Sequence, residues 1–444
     1  MNTNYKITTM RFPLLFMMFT LLMPECKSSQ SVESSQRTDQ SSIEKKKWLS
    51  LAVSQPDEWY ATNEAKEVAE NILLYQRNIG GWPKNIEMHH KLTDKQKAEI
   101  AGQKEKTDAI FDNGATTTEM RFLGKMYKAV KDPRYKDAVN KAIDFIIAAQ
   151  YDSNYKGEGG WPQVYPLREK GYTSRITFND DAMIHLLEIL RKVYHKADEF
   201  SDIVDDATAT KAKTSFDKGV QCILNCQVTE NGVKTFWGAQ HDEHTLLPAV
   251  ARPKELPSYS GSEGTRILQF LMELENPSQE IKDAVVAAAE WLEKVKIPNK
   301  KVVNVMENGI LVDRKVIDSP GDDMWGRFIQ IGGKVGQEAF DALVNGYLKK
   351  GSKGGFSYRE NALSSYDPTK TSQPIYSIYE ADRPNLLYRY LYIFEDAEPV
   401  DINGVSTAVS LDAKTRIKYQ YLGNWPQKVL RKQYPAWRKK NGLD

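Results

Sequence analysis

The stretch QRNIGGWP at residues 76–83 predicts the architecture, because parts of it recur along the chain. Gly-Gly-Trp-Pro returns at residues 159–162, and Phe-Trp-Gly follows at residues 236–238. A glutamine closes a predicted helix before each of these loops: Gln76, Gln150 and Gln227. The repeating unit is therefore a helix, a long aromatic loop, a second helix and a tight turn. Helical hairpins of this kind bury their apolar faces only by stacking on their neighbours.

Apolar residues recur at spacings of three and four through most of the chain, which is typical of amphipathic helices. Val68 and Ile72 belong to one such set, and Leu123 and Met126 to another. Strand-like alternation is confined to short pieces such as residues 301–305. The sequence therefore predicts an all-α protein. Its period of about 80 residues exceeds that of common solenoid repeats. We therefore expect the hairpins to close into an α/α toroid that collects its long loops, and a site, at one end.

Length and composition exclude several classes of protein. The 444 residues are 41% hydrophobic, which excludes a disordered or collagen-like chain. Lys and Arg number 61 against 59 Asp and Glu, and no basic block stands out. Nucleic acid is therefore not an expected partner. Three cysteines cannot form a disulfide framework, and we interpret the Cys222 and Cys226 pair as packing.

The N-terminus has the pattern of an export signal. Lys6 and Arg11 precede an apolar run at residues 12–23, which is too short to span a bilayer. We expect residues 1–26 to be a signal peptide and residues 27–44, rich in Ser and Gln, to be a flexible linker. The folded domain then covers residues 45–444.

Cys26 stands where a bacterial lipoprotein carries its lipid-modified cysteine, but Glu25 precedes it where that signal has a small residue. A lipid anchor and free secretion therefore both stay open. We expect an exported monomer in the periplasm, at the cell surface or in the medium.

Each long loop delivers polar side chains just before the next helix. The three sets are Asp112-Asn113, Asn179-Asp180-Asp181 and the run RPKELPSYSGS at residues 252–262. Asp, Asn and Ser are preferred N-cap residues, so capping alone explains each set taken singly. Taken together, equivalent loops that meet at one end of a ring bring carboxylate and amide oxygens to a shared cation. Oxygen ligands without a His or Cys cluster favour Ca²⁺ over Mg²⁺.

The repeated tryptophans Trp82 and Trp161 have two interpretations. Burial between helices is the commoner role of a repeated aromatic side chain. Lys84 and Asn85, however, continue the first loop with polar groups beside Trp82. A cation next to an exposed ring suits an anionic sugar.

Seven stretches together are similar to the family-ten pectate lyases, which are calcium-dependent enzymes that cleave polygalacturonate by β-elimination on an α/α toroid. The stretches are QRNIGGWPKN at 76–85, FDNGATTTE at 111–119, GWPQVYP at 160–166, ITFNDDAM at 176–183, WGAQHD at 237–242, ARPKELPSYSG at 251–261 and WGRFI at 325–329. The resemblance thins at residues 332–415, where the chain looks expanded or diverged, and it returns at residues 419–437.

This resemblance implies a role for particular residues. Asp112, Asn113 and Asp180 would hold the catalytic calcium together with the substrate carboxylate, and Arg252 would be the Brønsted base. A guanidinium has a solution pKa above about 12, so the neutral base form becomes more abundant as the pH rises. The resemblance therefore predicts an alkaline optimum for the elimination.

The resemblance also implies substrate-binding residues. Lys84 and Arg327 would bind uronate carboxylates, and Trp82 would lie beside the sugar. Pro253 and Lys254 depart from the family pattern next to the predicted base, where we expect an aromatic residue. That departure concerns the preference for particular sugars more than the chemistry.

Three other functions stay open from the residues themselves. A glycoside hydrolase on the same toroid could use Asp112 with Asp180 or Asp181 as its acid and base. A surface protein could bind uronate polymers without cleaving them. A terpenoid cyclase would share the QxxxGxW spacing that starts at Gln76, but the DxDD acid motif is missing from the sequence.

Overall fold

The structure is a computed structural model that describes residues 45–168, 171–251, 255, 257–329, 331, 333–343, 417, 420 and 422–444. The predicted signal peptide and linker, Cys26, Arg252 and most of the segment 332–415 lie outside the described residues. Within the described ranges, every helix is too short or too polar to cross a membrane.

Helices supply most of the regular structure. They are α1 (Trp48–Ser54), α2 (Asn63–Tyr75), α3 (Asp94–Ala101), α4 (Thr117–Val130), α5 (Pro133–Ala148), α6 (Ala182–Tyr194), α7 (Asp206–Cys226), α8 (Glu263–Met272), α9 (Gln279–Val295), α10 (Gly333–Leu343), α11 (Trp425–Lys428) and α12 (Tyr434–Lys440). The strands are β1 (Ile176–Thr177), β2 (Thr229–Glu230), β3 (Val233–Lys234), β4 (Gln240–His241), β5 (Tyr259–Ser260), β6 (Ile297–Glu307), β7 (Ile310–Gly326), β8 (Phe328–Ile329) and β9 (Leu422–Gly423).

The helices α2, α5, α7 and α9 begin at side-chain caps. Thr62, Asp132, Asp205 and Ser278 accept hydrogen bonds from backbone N–H groups of the first turns. Such caps satisfy donors that the helix itself cannot pair. The same four helices form a series that the repeated glutamines join.

Each repeated glutamine links its own loop to the next helix of that series through its side-chain amide. The acceptors are the carbonyls of Gly80 and Ala138 for Gln76, of Gly159 and Ser215 for Gln150, and of Thr235 and Ala284 for Gln227. These bonds join α2 to α5, α5 to α7 and α7 to α9. The repeat in the sequence thus corresponds to a repeated connection, in which a glutamine side chain at the end of one helix bonds to its own loop and to the next helix. We call this connection a joint.

A buried tryptophan completes each joint. Trp82, Trp161, Trp237 and Trp325 are at most 1% exposed. Each indole Nε1 donates to a carbonyl in the last turn of α2, α5, α7 or α9, at 2.8 Å in every case. Trp325 therefore adds a fourth unit to the three that the sequence predicted.

The prediction of an all-α α/α toroid is wrong. In the described residues, β1 pairs with β4, β2 with β3, and β5 with β8, while β6, β7 and β9 form a three-stranded sheet, all antiparallel. The pairs β1–β4 and β5–β8 join loops distant in sequence, whereas β2–β3 is a local hairpin with the turn Asn231-Gly232. In each of these pairs, two residues per strand are too few to leave a periodic signal.

The long β6–β7 hairpin, by contrast, did leave a signal in the sequence. Its two-residue turn is Asn308-Gly309, and both residues have positive φ, which is the typical chemistry of a tight hairpin turn. Many charged residues in β7 hide the alternation that would have marked the partner strand of residues 301–305.

We predict that Gln227→Ala lowers the free energy of unfolding by about 2 kcal/mol, because the buried carbonyls of Thr235 and Ala284 lose their side-chain donor. Urea denaturation measures the change. Gln221→Ala is the matched control, since this exposed glutamine of α7 bonds only to Asn225 and Glu280 on the surface. Its expected effect is below about 0.5 kcal/mol. Equal losses in the two variants would contradict a structural role of the joint.

Candidate functional site

Two short 3₁₀ turns of the same shape precede α4 and α6. They are Asp112–Gly114 and Asn179–Asp181, and Cα atoms of the two turns approach within 8 Å. Their middle residues, Asn113 (φ 53°, ψ 32°) and Asp180 (φ 52°, ψ 32°), share the left-handed conformation. The order of acid and amide is reversed between the turns. The first turn has Asp112 followed by Asn113, and the second has Asn179 followed by Asp180.

Capping does not explain these polar side chains. The N-caps of α4, α6 and α8 are Thr116, Asp181 and Ser262, and none of them makes a side-chain capping bond. The Asn113 amide donates instead to Asn85 Oδ1 at 3.1 Å. The capping interpretation is therefore wrong for Asn113 and Asp180. In this respect α4, α6 and α8 differ from α2, α3, α5, α7 and α9, whose N-cap side chains do accept a hydrogen bond.

The carboxylate of Asp112 fits a cation ligand. It is buried, with 4% of the residue exposed, and one oxygen accepts a hydrogen bond from Lys84 Nζ. The other oxygen, Oδ1, is buried and has no hydrogen-bond partner among the described residues. Such a group typically costs about 1–3 kcal/mol. A bound cation would remove that cost, and oxygen donors such as Asp112 and Asn113 suit a hard ion.

The described residues contain no group of three His, Cys, Asp or Glu side chains that could hold a metal ion. The predicted ligand set consists of two carboxylates and one carboxamide, Asn113, so it differs in kind from such a group. The support for a cation site is therefore the presence of carboxylate and carboxamide oxygens, not a cluster of three acids.

Two cavities meet at Asn113. The larger has about 590 Å³ and is lined by Asn113 and Asp180, together with side chains of α4 and α6. The smaller has about 320 Å³ and is lined by Asn113, Lys84 and Asn85. A cavity of about 940 Å³ between α6, α7 and residues 273–281 contains none of the predicted site residues, so size does not identify the site.

Arg327 is held by an ion pair at the start of α8. Its Nη2 lies 2.5 Å from Oε1 of the buried Glu263. Burial lowers the pKa of Arg327, but Glu263, followed by Glu255 and Asp180, outweighs burial and raises the pKa overall. Arg327 therefore stays cationic, which suits the predicted role of binding a carboxylate.

Glu263 was missed by the sequence analysis. Burial raises its pKa, but Arg327 and Ser260 outweigh burial and lower the pKa overall, so the buried group stays ionised. The Ser260 hydroxyl donates to one carboxylate oxygen and accepts from the Glu263 N–H. The S-x-x-E spacing of this pair is the capping-box signal that could have identified it.

Asp181 lies in the same acidic surroundings. Burial raises its pKa to about 6, helped by the negative charges of Glu263, Asp180 and Glu188. Arg266 opposes that shift. The two turns and the start of α8 thus bring several carboxylates within electrostatic range of one another.

Arg252 and its neighbours Pro253 and Lys254 lie outside the described residues. The residues on either side are described: the Ala251 N–H donates to the Glu255 carbonyl at 2.9 Å. Glu255 is one of the carboxylates that raise the pKa of Arg327. Glu255, on one side of the predicted base, therefore lies within electrostatic range of Arg327, as Asp180 does.

The prediction that Trp82 contacts substrate is wrong. Its side chain is fully buried, and the indole N–H donates to the Ile72 carbonyl. The ring is a structural joint, like the three tryptophans that correspond to it, and it offers no face to a sugar. Lys84, two residues further on, keeps 36% of its side chain exposed beside Asp112.

Trp48 and Glu119 were also missed by the sequence analysis. The buried indole of Trp48 donates through Nε1 to Glu119 Oε1 at 2.7 Å, and its backbone N–H donates to Glu87 Oε2 at 2.6 Å. Burial raises the pKa of Glu119 to about 7, although the bonds from Trp48 and the backbone oppose the shift. The signal in the sequence that could have identified Trp48 is a tryptophan directly after three lysines, because an aromatic residue in a charged segment indicates a buried contact.

Residues 76–339, more than half of the chain, match the pectic acid lyase family. The chain belongs to that family. It is a pectate lyase, an enzyme that degrades polysaccharide, and the family-ten resemblance of the sequence is confirmed. No curated protein matches the chain.

Two solved structures of the family 10 polysaccharide lyase from Cellvibrio cellulosa are similar to the chain. A variant of that enzyme in complex with trigalacturonic acid is 33% identical, covers 63% of this chain and 80% of its own, and has a TM-score of 0.52. A second structure of the enzyme has the same identity and coverage and a TM-score of 0.51.

We predict that Glu119 makes the protein less stable as the pH rises from about 4.5 to 7. Its pKa is about 7 in the fold, against 4.5 for an ordinary glutamate, so over this range the unfolded chain releases its proton first. The free energy of unfolding should fall by about 3 kcal/mol across this window from Glu119 alone. Below the window this stability is fully present.

Urea denaturation at pH 5 and pH 8 measures the effect as the difference between Glu119→Gln and the unsubstituted protein. The amide keeps an acceptor for Trp48, so the variant should gain stability at pH 8 relative to pH 5. Glu67→Gln changes the same charge at an exposed site of α2 and should show no such gain. A difference that is independent of pH would refute the assignment.

Proposed function

We propose that this pectate lyase cleaves polygalacturonate by calcium-dependent β-elimination and leaves 4,5-unsaturated oligogalacturonates. The observation that carries the proposal is the contact between the two matching turns, which brings Asp112, Asn113 and Asp180 to one region. The trigalacturonic acid bound by the Cellvibrio relative supports the substrate class.

Asp112, Asn113 and Asp180 would hold the calcium ion. When bound, it would neutralise the charge of the uronate carboxylate, which makes the neighbouring C5 proton easier to remove. The unpartnered Oδ1 of Asp112 supports this ligand set, since a buried carboxylate oxygen without a partner costs free energy that a bound cation would recover.

Lys84 and Arg327 act on the substrate as cations. The Lys84 ammonium lies against Asp112 and is partly exposed, so it can also reach a carboxylate at the edge of the site. Arg327 is oriented by Glu263 and stays charged, because that carboxylate raises its pKa. Two oriented cations on an anionic polymer fix the position of the sugar whose C5 proton is removed.

Arg252 is the proposed base that takes the C5 proton. A guanidinium acts as a base only if neighbouring cations and desolvation disfavour its charge. Support comes from the family match, which covers this position, and from the Arg327 guanidinium near Glu255 on the flank of the same loop. Elimination then expels the glycosidic oxygen at C4 without consuming water.

We also propose that the enzyme is exported. The support is the charged and apolar pattern of residues 1–26, which ends at Cys26. Mass spectrometry of the mature N-terminus distinguishes free secretion from a lipid anchor at that cysteine. An uncleaved chain would contradict the proposal.

We predict that polygalacturonate treated with the enzyme and calcium at alkaline pH gains ultraviolet absorbance from the unsaturated uronate. A chelator should abolish this gain, and added calcium should restore it. Arg252→Ala is the control for the chemistry: it should lose elimination and still bind trigalacturonate. Reducing ends without absorbance would indicate a hydrolase, and binding without either product would indicate a non-catalytic uronate-binding protein.

We predict that Asp112→Asn and Asp180→Asn weaken calcium binding at least tenfold, because each removes one of two ligand charges. Isothermal titration calorimetry with calcium alone measures the affinity independently of turnover. Asp137→Asn removes the same charge from an exposed position of α5 and should leave the affinity unchanged. If both variants bound calcium as tightly as the unsubstituted protein, Asp112 and Asp180 would not be calcium ligands.

A further inference from the structure

Trp48 holds a segment that precedes the family match against the site. The match begins at residue 76, whereas Trp48 lies upstream of it. Its ring stacks on His89 at 6.3 Å between centroids and packs on Phe122 of α4 at 5.3 Å. With the two bonds to Glu87 and Glu119, these contacts fix both the backbone and the ring of Trp48.

The neighbours of Trp48 line the cavities that meet at Asn113. Lys47 and Leu49 both line the 320 Å³ cavity, together with Lys84, Asn85 and Asn113. Leu49 also lines the 590 Å³ cavity, on the side of Asp180, and it is 51% exposed. Leu49 therefore stands at the boundary between the two cavities, and the upstream segment forms part of the wall of both.

Lys47 is the lysine of the smaller cavity that lacks an acidic partner among the described residues. Lys47 is exposed and forms no ion pair with any residue that the structure describes. The acidic groups of the cavity are Glu87 and Glu119, and both already accept hydrogen bonds from Trp48. Lys84, the second cation, is shared with Asp112. Lys47 is thus the ammonium of this cavity that has its charge available.

We infer that Lys47 and Leu49 form a further uronate-binding subsite of the substrate cleft. Lys47 binds the carboxylate of a galacturonate residue in the 320 Å³ cavity, and Leu49 supports the apolar face of the sugar ring. The cavity volume lies in the range of about 300–1,000 Å³ that is usual for small ligands. The inference rests on the proposed function, because it takes the substrate to be a chain that passes Asn113.

The experiment compares Lys47→Glu and Lys47→Gln with Lys46→Glu as the matched control. Lys46 is the adjacent exposed lysine and does not line the cavity. Each substitution is made in the Arg252→Ala background, and calorimetry measures binding of trigalacturonate and of polygalacturonate. We expect Lys47→Glu to raise Kd for the polymer roughly three- to tenfold and Lys47→Gln to raise it less. Lys46→Glu should change it less than twofold.

A second readout uses the catalytically intact chain. Lys47→Glu should raise KM for polygalacturonate more than it lowers kcat, because the subsite binds a sugar away from the reacting bond. Melting temperatures within a few degrees of the unsubstituted protein show that each variant folds. Leu49→Asp is an independent probe of the same wall and should weaken polymer binding in the same way.

The outcomes separate the subsite from the reaction. If absorbance rises with calcium but Lys47→Glu binds the polymer as Lys46→Glu does, the subsite is refuted and the lyase chemistry stands. If no absorbance develops while Lys47→Glu still weakens binding, the elimination is refuted and the subsite stands. If trigalacturonate and polymer bind all variants equally, Lys47 is only a surface charge and the inference falls.

Discussion

The hydrogen bond from a buried indole N–H to the last turn of the preceding helix is the interaction on which the structure depends. A helix runs out of its own donors at its C-terminus, so its last carbonyls need partners from elsewhere. Trp82, Trp161, Trp237 and Trp325 each donate to a carbonyl of such a last turn, always at 2.8 Å. A repeated glutamine then ties three of these loops to the next helix of the series. Because each joint fixes where its loop leaves one helix, it also fixes where the polar residues of that loop arrive.

The candidate site lies at the N-termini of helices whose N-cap residues make no side-chain capping bond. The N-cap side chains of the four helices in the series accept hydrogen bonds, whereas the N-cap residues of α4, α6 and α8 make no side-chain capping bond. In the turns that precede α4 and α6, Asn113, Asp180 and Asp181 are in the left-handed conformation. Asp112 has a buried carboxylate oxygen without a partner among the described residues. Local stability that a cap would supply is missing there, which is typical of functional positions. Because the order of acid and amide is reversed between the turns, the two turns are chemically different at their middle residues, Asn113 and Asp180.

The cations near the candidate site differ in whether they are paired with a carboxylate. Arg327 is held by Glu263, and Lys84 lies against Asp112, so both are oriented before substrate arrives. Lys47 comes from a segment outside the family match and is anchored by Trp48. The candidate ligands thus lie inside the family match, whereas Lys47 and Leu49, on either side of the buried Trp48, line part of the adjoining cavities from outside it.

Helix periodicity and the Gln and Trp repeat predicted the helical hairpins, because these patterns are local in the sequence. The seven stretches similar to the family-ten pectate lyases predicted the family and implied the candidate ligands Asp112, Asn113 and Asp180. The sheets were not predicted, because β1–β4 and β5–β8 pair distant loops, although Asn231-Gly232 and Asn308-Gly309 mark two hairpin turns. The sequence suggested a sugar contact for Trp82, which tertiary packing buries. Three contacts are visible only in the folded structure: the contact between the two turns, the ion pair of Glu263 with Arg327 and the hydrogen bond from Trp48 to Glu119. Those contacts depend on how helices stack in space, and the energy that selects them comes from partners far away in the chain.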